Sequence, residues 1–137
     1  MQSTIKAVWQ GSFKQGNGQF ATENSKLSNS AFRPSYVKND GTFTNPEELL
    51  AAAHASCFTM TLSYILGENG FSADQLETSV SLIISNNVIT NSNLSLQAKI
   101  AGITEEEFRN LALKAKEMCP VGNVLKAESS LEATLIL

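Results

Sequence analysis

The sequence predicts an α+β fold that combines antiparallel sheets with a long, almost wholly buried helix. The stretch from Leu49 to Leu66 contains no charged side chain, and its apolar residues fall on every side of a helix. Short runs of alternating apolar residues lie in pairs before and after this stretch, as in strands with one buried face. An amphipathic helical pattern separates the last run from the others. Paired strands with helices set apart from them are typical of α+β domains.

The residues before the central helix predict two strands and a loop. The run from Ile5 to Gln10 alternates in the manner of a strand with one buried face. Gly16-Asn17-Gly18 predicts a turn into a second extended run from Gln19 to Leu27. The segment from Ser28 to Thr44 is rich in Ser, Asn, Pro and Gly, so we expect a loop, and its length is typical of a functional or mobile segment.

The central helix has clear signals at both ends. Asn45 is a good N-cap, Pro46 suits the first helical position, and Glu48 completes the spacing of a capping box. Gly67 and Gly70 are expected to end the helix. A helix that is apolar all round must be surrounded by protein or lipid. The interspersed hydroxyl, thiol and imidazole side chains disfavour a membrane span.

The second half of the chain predicts a hairpin, a second helix and a final strand. Alternating residues from Leu76 to Ile84 and from Leu94 to Ile100 flank a reversal at Asn86-Asn87. Thr104 and Glu107 form the spacing of a capping box that opens the second helix. Pro120 is expected to push Cys119 out of that helix, with a short helical turn from Val121 to Lys126 after it. Alternation from Leu131 to Leu137 closes the chain as a strand.

Composition narrows the class of protein. A length of 137 residues predicts a single domain over residues 1–137. The net charge of −3 and the scattered basic residues argue against nucleic acid or a membrane surface as partner. The N-terminus has no secretory pattern, so we expect a cytoplasmic protein whose two cysteines are reduced at rest. No metal or other cofactor is expected, since one histidine and two cysteines are too few for a common zinc site.

The chemistry of the chain centres on Cys57 and Cys119. A thiol reacts as the thiolate, and burial in an apolar helix opposes ionisation unless a cation stands near. A lone core cysteine is otherwise a small buried hydrophobe, and this interpretation applies to each of the two. They acquire a redox role only if both face one cavity. His54, one turn before Cys57, is a candidate base or a packed, hydrogen-bonded core residue.

Two blocks of the sequence carry a family resemblance. The residues from Thr44 to Phe58, TNPEELLAAAHASCF, resemble the signature helix of the OsmC/Ohr family of osmotically induced and organic hydroperoxide resistance proteins. The residues from Lys114 to Leu125, KAKEMCPVGNVL, are similar to the second motif of that family. The histidine before the cysteine favours the OsmC branch.

The resemblance implies a fold, an activity and a set of site residues. It implies an intertwined homodimer with long helices at the centre and sheets outside, and a peroxidase that reduces organic hydroperoxides. Cys57 corresponds to the peroxidatic thiol and Cys119 to the resolving thiol. The arginine and the glutamate that hold the reactive thiolate in family members fall on Arg33 and Glu47. An external dithiol, such as a dihydrolipoyl group on a protein, would be the reductant.

Helix geometry adds an expectation about subunits. Glu47 and Cys57 are ten positions apart on one helix, about 15 Å along the axis, so Glu47 cannot assist the cysteine of its own chain. If Glu47 serves the site, the active site is shared between two subunits. We prefer Arg33 to Arg109 as the partner cation, because Arg109 lies about 15 Å along its helix from Cys119.

The mechanism predicted from these residues is a thiol peroxidase cycle. Arg33, oriented by Glu47, keeps Cys57 ionised; the thiolate attacks a hydroperoxide, and the resulting sulfenic acid condenses with Cys119 to a disulfide. A dithiol then restores both thiols by exchange. An apolar approach was expected from nearby side chains, namely Phe43, Leu49, Leu50, Phe58 and Met118.

Two other functions stay open on the sequence alone. The chain could be a non-catalytic dimer that binds apolar small molecules and has inert buried cysteines. It could also be an acyl-transfer enzyme with Cys57 as nucleophile and His54 as base. The second ranks last, because the backbone N–H groups around a mid-helix cysteine are used by the helix and cannot form an oxyanion hole.

Overall fold

A computed structural model of the chain describes residues 1–22 and 26–136. The chain divides into two compact units, Met1–Leu49 and Leu50–Leu137. The predicted extended run from Gln19 to Leu27 includes residues 23–25, and the predicted final strand includes Leu137. Those parts of the two predictions lie outside the described residues.

The first unit contains a three-stranded antiparallel sheet in the order β1-β2-β3. Its strands are β1 (Lys6–Gln10), β2 (Asn17–Ala21) and β3 (Ala31–Phe32). The first predicted strand is confirmed, but its expected buried face is not present within the chain, because all five residues of β1 are exposed. β3 lies inside the segment predicted as a loop.

The predicted turn at Gly16-Asn17-Gly18 is wrong, because Asn17 and Gly18 already pair with β1. The reversal lies earlier: Gly11 adopts a positive φ of 98°, and the Gly16 N–H donates to the Ser12 carbonyl at 2.7 Å. Gly18 is required for packing instead, since a Cβ there would overlap the Phe32 ring. A glycine needed for close approach looks the same in sequence as one needed for a turn.

α1 (Pro46–Glu68) is the predicted central helix. Asn45 caps it as expected, with its Oδ1 accepting from the Glu48 N–H at 2.8 Å. The capping box is not formed, because the Glu48 carboxylate accepts from the Thr44 hydroxyl at 2.6 Å. The helix continues through Gly67 and ends where Gly70 adopts a φ of 80°. Bonds from the Gly70 and Phe71 N–H groups back to the last turn complete a Schellman cap.

Within the chain α1 is buried along one side only. The buried side chains are His54, Phe58, Leu62, Ile65 and Leu66, whereas Met60 and Tyr64 are 71% and 62% exposed. The near-complete burial expected from the sequence is therefore not reached within one chain. Among residues 1–22 and 26–136, α1 is the one helix long and apolar enough to span a membrane, with a mean hydropathy of 1.5. A core helix of a soluble protein passes the same test, and the buried side of α1 packs as such a helix does.

The second unit contains a sheet in the order β4-β5-β6 and two further helices. Its elements are β4 (Ala73–Ser85), β5 (Val88–Ile100), α2 (Glu105–Met118), α3 (Pro120–Val124) and β6 (Leu131–Leu135). The β4-β5 hairpin is confirmed, and Asn86 and Asn87 both adopt the positive φ values of a type I′ turn. The Thr104–Glu107 capping box at the start of α2 is also confirmed.

β6 pairs with β5 in parallel, which corrects the expectation of purely antiparallel sheets. The chain leaves the end of β5, runs through α2 and α3, and re-enters the sheet beside β5 in the same direction. A crossover through helices is the usual way to join two parallel strands. Alternation of apolar residues indicates which face of a strand is buried, but it does not indicate the direction of the strand. The sequence pattern of β6 therefore could not show whether β6 pairs in parallel or antiparallel.

One hydrophobic core joins the elements of the second unit. α1 contributes its buried side, and β5 contributes alternate residues from Leu94 to Ile100. α2 contributes Phe108, Ala112 and Ala115, and Cys119 follows directly after it in the same core. The helices therefore cover one face of the β5 strand, and the two cysteines lie at this layer.

Candidate active site

The second unit brings Cys57 and Cys119 together. Cys57 is partly buried on α1 and packs against the core, and Cys119 is 1% exposed between α2 and α3. Both are free thiols. Cys57 packs against the core cluster that contains Cys119, and the Cys57 side chain contributes to the raised pKa of Cys119. The fold thus joins two thiols that are remote in sequence.

Cys119 is held by the break that Pro120 makes between α2 and α3. Its backbone is extended, with φ −68° and ψ 111°, as predicted for a residue before proline. Its Sγ caps α3 by accepting a hydrogen bond from the Gly122 N–H at 3.4 Å. Burial raises the pKa of the Cys119 thiol, while this N–H opposes the rise. Cys119 therefore stands as a neutral thiol with a fixed orientation.

His54 lies one turn before Cys57 and is almost fully buried. Its Nδ1 is 2.6 Å from the Ser92 Oγ on β5, and Ser92 has no exposed surface. Burial lowers the pKa of His54, and Lys116 lowers it further. The imidazole is thus neutral at pH 7 and already occupied by a serine hydroxyl, as expected for a packed core histidine.

Arg33 and Glu47 line one cavity of about 530 Å³ within the first unit. The Arg33 N–H donates to the carbonyl of Thr44 at 3.0 Å, which ties Arg33 to the segment that leads into α1. Arg33 Nε and Glu47 Oε2 are buried and have no hydrogen-bond partner among the described residues. The guanidinium lies 5.5 Å from the centre of the Phe43 ring. Two complementary polar groups thus face a cavity without being satisfied.

Aromatic side chains form the walls of this cavity and were not predicted. The Trp9 and Phe32 rings lie 6.0 Å apart and the Phe13 and Tyr36 rings 5.6 Å apart, and all four side chains line it. The available signal was the crowding of aromatic residues ahead of Arg33 in the sequence.

The apolar approach expected from the sequence is not formed as described. Phe58 has no exposed surface and belongs to the core. Phe43 and Leu49 line a different cavity, which is mainly polar.

The sequence did not predict Ser92 as the hydrogen-bond partner of His54. A serine within a strand carries no signal of such a role.

The predicted site residues therefore form two groups. Cys57 and Cys119 belong to the second unit, as does the neighbouring His54, and Arg33 and Glu47 belong to the first. Within the described ranges, 1–22 and 26–136, no group of three or more His, Cys, Asp or Glu side chains is arranged to hold a metal ion.

Comparison with known proteins identifies the family. The profile of the family described as OsmC-like protein matches residues 39–134. The chain is 38% identical over 136 residues to the peroxiredoxin OsmC of Escherichia coli K12, covering 95% of this chain and 94% of that protein. The chain belongs to the OsmC-like family. This confirms the resemblance read from the two sequence blocks.

More distant OsmC/Ohr proteins share sequence or fold with the chain. An organic hydroperoxide resistance protein-like 2 of Staphylococcus saprophyticus is 29% identical over 97 residues, covering 69% of this chain and 68% of that protein. An OsmC-like protein of Mycoplasma pneumoniae has a similar structure, with a TM-score of 0.79 at 17% identity, covering 100% of this chain and 99% of that one. The α+β fold is therefore that of OsmC-like proteins. Glu47, Cys57 and Cys119 lie inside the family match, and Arg33 lies before it.

Proposed function

We propose that this chain is a thiol peroxidase that reduces organic hydroperoxides through Cys57 and Cys119. The Cys57 thiolate attacks the terminal oxygen of ROOH; the O–O bond breaks, ROH leaves after taking a proton, and Cys57 becomes a sulfenic acid. The Cys119 sulfur then attacks the Cys57 sulfur, so that water leaves and a disulfide remains. An external dithiol reduces this disulfide by two exchange steps and is itself oxidised to a disulfide.

The direct interaction of Cys57 with Cys119 is the observation that carries this proposal. A disulfide requires Cα atoms within roughly 7 Å and converging Cβ vectors, which remote cysteines rarely meet by chance. Two thiols that share one core are placed to form such a bond. Cysteines that serve only as small core residues do not have to lie near each other.

Family membership supports the broader part of the proposal. The E. coli relative is named a peroxiredoxin, and the staphylococcal relative is named for organic hydroperoxide resistance. Both names denote peroxide detoxification, and on this basis the chain is a peroxidase. The substrate class, the disulfide and the dithiol reductant are the finer parts that experiment must test.

The unpaired face of α1 supports a homodimer with shared active sites. Met60 and Tyr64 are largely exposed, although the helix around them is apolar. The Thr61 hydroxyl, on the same side of the helix, donates to the Cys57 carbonyl at 2.8 Å. Hydroxyls satisfied on their own helix suit a face that a second helix desolvates. We propose that this face meets the same face of a second copy.

In that homodimer Arg33 and Glu47 of one chain serve Cys57 of the other. The unpartnered Arg33 Nε and Glu47 Oε2 support this role, because each needs a hydrogen-bond partner that the described residues do not supply. The aromatic walls of their cavity suit the organic part of a hydroperoxide. The reductant we propose is a dithiol, for which a lipoylated protein is one source, in a cytoplasm that keeps both thiols reduced between turnovers.

Cysteine variants test the catalytic cycle. Cys57→Ser should abolish reduction of cumene hydroperoxide with dihydrolipoamide as reductant. Cys119→Ser should oxidise once and then stall with a sulfenic acid on Cys57, which dimedone traps and mass spectrometry detects. Full activity of Cys57→Ser, or sustained cycling of Cys119→Ser with a dithiol, would contradict the assigned roles.

Sedimentation tests the dimer. The 14.8 kDa chain should sediment as a dimer, and Met60→Arg should convert it to monomer because it buries a charge in the proposed interface. Lys114→Arg, an exposed charge-retaining change on α2, is the control and should leave the dimer intact. A monomeric wild-type chain with full activity would exclude shared sites.

A second candidate function is binding of apolar molecules without catalysis. The aromatic cavity and the raised pKa of the buried Cys119 thiol favour it. Thiol titration at pH 7 separates the two functions. The peroxidase loses both thiols to one equivalent of cumene hydroperoxide, whereas the binder retains both.

A further inference from the structure

We propose that His54 is a positioning residue for the resolving thiol, Cys119. Ser92 fixes the orientation of the His54 ring, and the ring packs against Gly122. The Gly122 N–H in turn binds the Cys119 sulfur and keeps it oriented toward Cys57. This inference rests on the proposed function for its place in the cycle. It concerns the second step, the closing of the disulfide, and not the attack on the hydroperoxide.

His54 is held on one side by β5. Its Nδ1 lies 2.6 Å from the Ser92 Oγ, and the Ser92 N–H donates to the Glu128 carbonyl at 2.8 Å. Both side chains are at most 1% exposed, so no water competes for this bond. The ring orientation is therefore set by the sheet, and α1 alone does not determine it.

The other side of the His54 ring faces α3. A Cβ built on Gly122 would stand 3.2 Å from His54 Nε2 and 3.7 Å from both Cβ and Sγ of Cys119. The first distance is tighter than ordinary van der Waals contact, so the imidazole packs directly on the Gly122 backbone. The Gly122 N–H is the donor to Cys119 Sγ at 3.4 Å. The structure thus forms a continuous chain from Ser92 through His54 and Gly122 to the sulfur.

Position matters strongly for the step that this chain serves. Cys119 attacks the Cys57 sulfenic sulfur; one S–S bond forms, the S–O bond breaks, and the thiol proton leaves with the hydroxyl as water. Displacement of an attacking group by about 1 Å can slow such an intramolecular step by about a hundredfold. Attack on the hydroperoxide by Cys57 does not use the Cys119 sulfur. A variant in which α3 is held less firmly should therefore slow formation of the disulfide and leave the attack on the hydroperoxide unchanged.

Two variants perturb this chain from opposite ends. His54→Gln removes the ring that packs on Gly122. Gly122→Ala keeps the N–H and adds a methyl group against His54 Nε2, which forces the ring or α3 to shift by a few tenths of an ångström. Alanine is the better helix former by about 1 kcal/mol, so this variant should fold even if His54→Gln does not. Val124→Ala, at a position 78% exposed on the same short helix, is the matched control.

Single-turnover kinetics separate the two steps. With one equivalent of cumene hydroperoxide, we expect His54→Gln and Gly122→Ala to form the Cys57 sulfenic acid within twofold of the wild-type rate. Disulfide formation should slow at least tenfold, so that dimedone traps the sulfenic acid in these variants and not in wild type or Val124→Ala. A general structural defect would slow both steps together. Equal disulfide rates in all four proteins, or equal losses in both steps, would overturn the proposal.

An oxidant unrelated to hydroperoxides keeps this test independent of the proposed function. Diamide accepts two electrons and two protons and converts a dithiol to a disulfide, with the second thiol displacing the adduct on the first. The same tenfold defect in adduct displacement is expected for both variants. If cumene hydroperoxide leaves the thiols of the wild-type protein intact, the proposed peroxidase function is wrong. If diamide forms the disulfide at the same rate in all four proteins, the proposed positioning role of His54 is wrong.

Discussion

Acidification should destabilise this protein through His54, the single histidine in the chain. Burial lowers the pKa of the folded imidazole, and the nearby Lys116 lowers it further. Unfolding returns the ring to water and to its ordinary pKa of 6.5. Just below that pH the unfolded chain binds a proton that the folded chain does not. The stabilisation is therefore fully present above pH 6.5 and is lost as the pH falls toward the folded pKa.

The size of the effect follows from one proton. The free energy of unfolding changes by at most about 1.4 kcal/mol per pH unit for a single site. Between pH 7.5 and pH 5.5 the pH unit below 6.5 accounts for nearly all of the change, so the loss has an upper limit of about 1.4 kcal/mol. Any protonation of His54 in the folded state reduces the loss below this limit.

Urea unfolding at a fixed protein concentration measures this loss, with wild type and His54→Gln compared at both pH values. Carboxylates titrate in both proteins and cancel in the comparison, so wild type should lose more stability than the variant, by up to about 1.4 kcal/mol. Ser92→Ala is a useful control: it should be less stable by about 1 kcal/mol at both pH values and retain the pH-dependent loss. Equal losses in wild type and His54→Gln would refute the argument.

Three further predictions concern stability and specificity. Thr104→Ala should lower the free energy of unfolding by about 1 kcal/mol, because it removes the hydroxyl side of an observed capping box, and Thr104→Ser should restore it. Leu62→Ala should cost about 2–5 kcal/mol since Leu62 has no exposed surface, whereas Leu113→Ala, at a position 48% exposed, should cost well under that; denaturant unfolding measures both. Phe13→Ala should raise the KM for cumene hydroperoxide more than that for tert-butyl hydroperoxide if the aromatic cavity holds the organic group, and equal changes would remove the cavity from the site.

Local signals predicted the helices well. The Asn45 cap, the Thr104–Glu107 capping box and the Pro120 break each join groups within a few residues of one another, and the structure contains all three. Such bonds join residues that are close in sequence, so the groups involved are near each other whenever the helix forms. They form in the same way whatever the rest of the fold does.

The errors arose where a distant residue decided the outcome. Gly18 was read as part of a turn, and it is a glycine because the Phe32 ring lies against it. The parallel direction of β6 follows from the crossover and not from its own residues. In both cases the outcome depends on an element elsewhere in the chain, which local spacing does not indicate.

The candidate site shows the same division. The family blocks identified Cys57 and Cys119, but no pattern in sequence could show that their side chains meet. The aromatic cavity beside Arg33 and Glu47, and the Ser92 hydroxyl on His54, were invisible because each is assembled from separate strands and loops.

The sequence alone determined the family and the type and order of the helices, and it singled out Cys57 and Cys119 as the candidate thiols, because these depend on short-range spacing and on residue chemistry. Tertiary structure decided which remote groups touch: Cys57 with Cys119, His54 with Ser92 and Gly122, and the rings around the Arg33 cavity. The physical reason is that such contacts are selected by packing of the whole core, where every neighbour constrains every other.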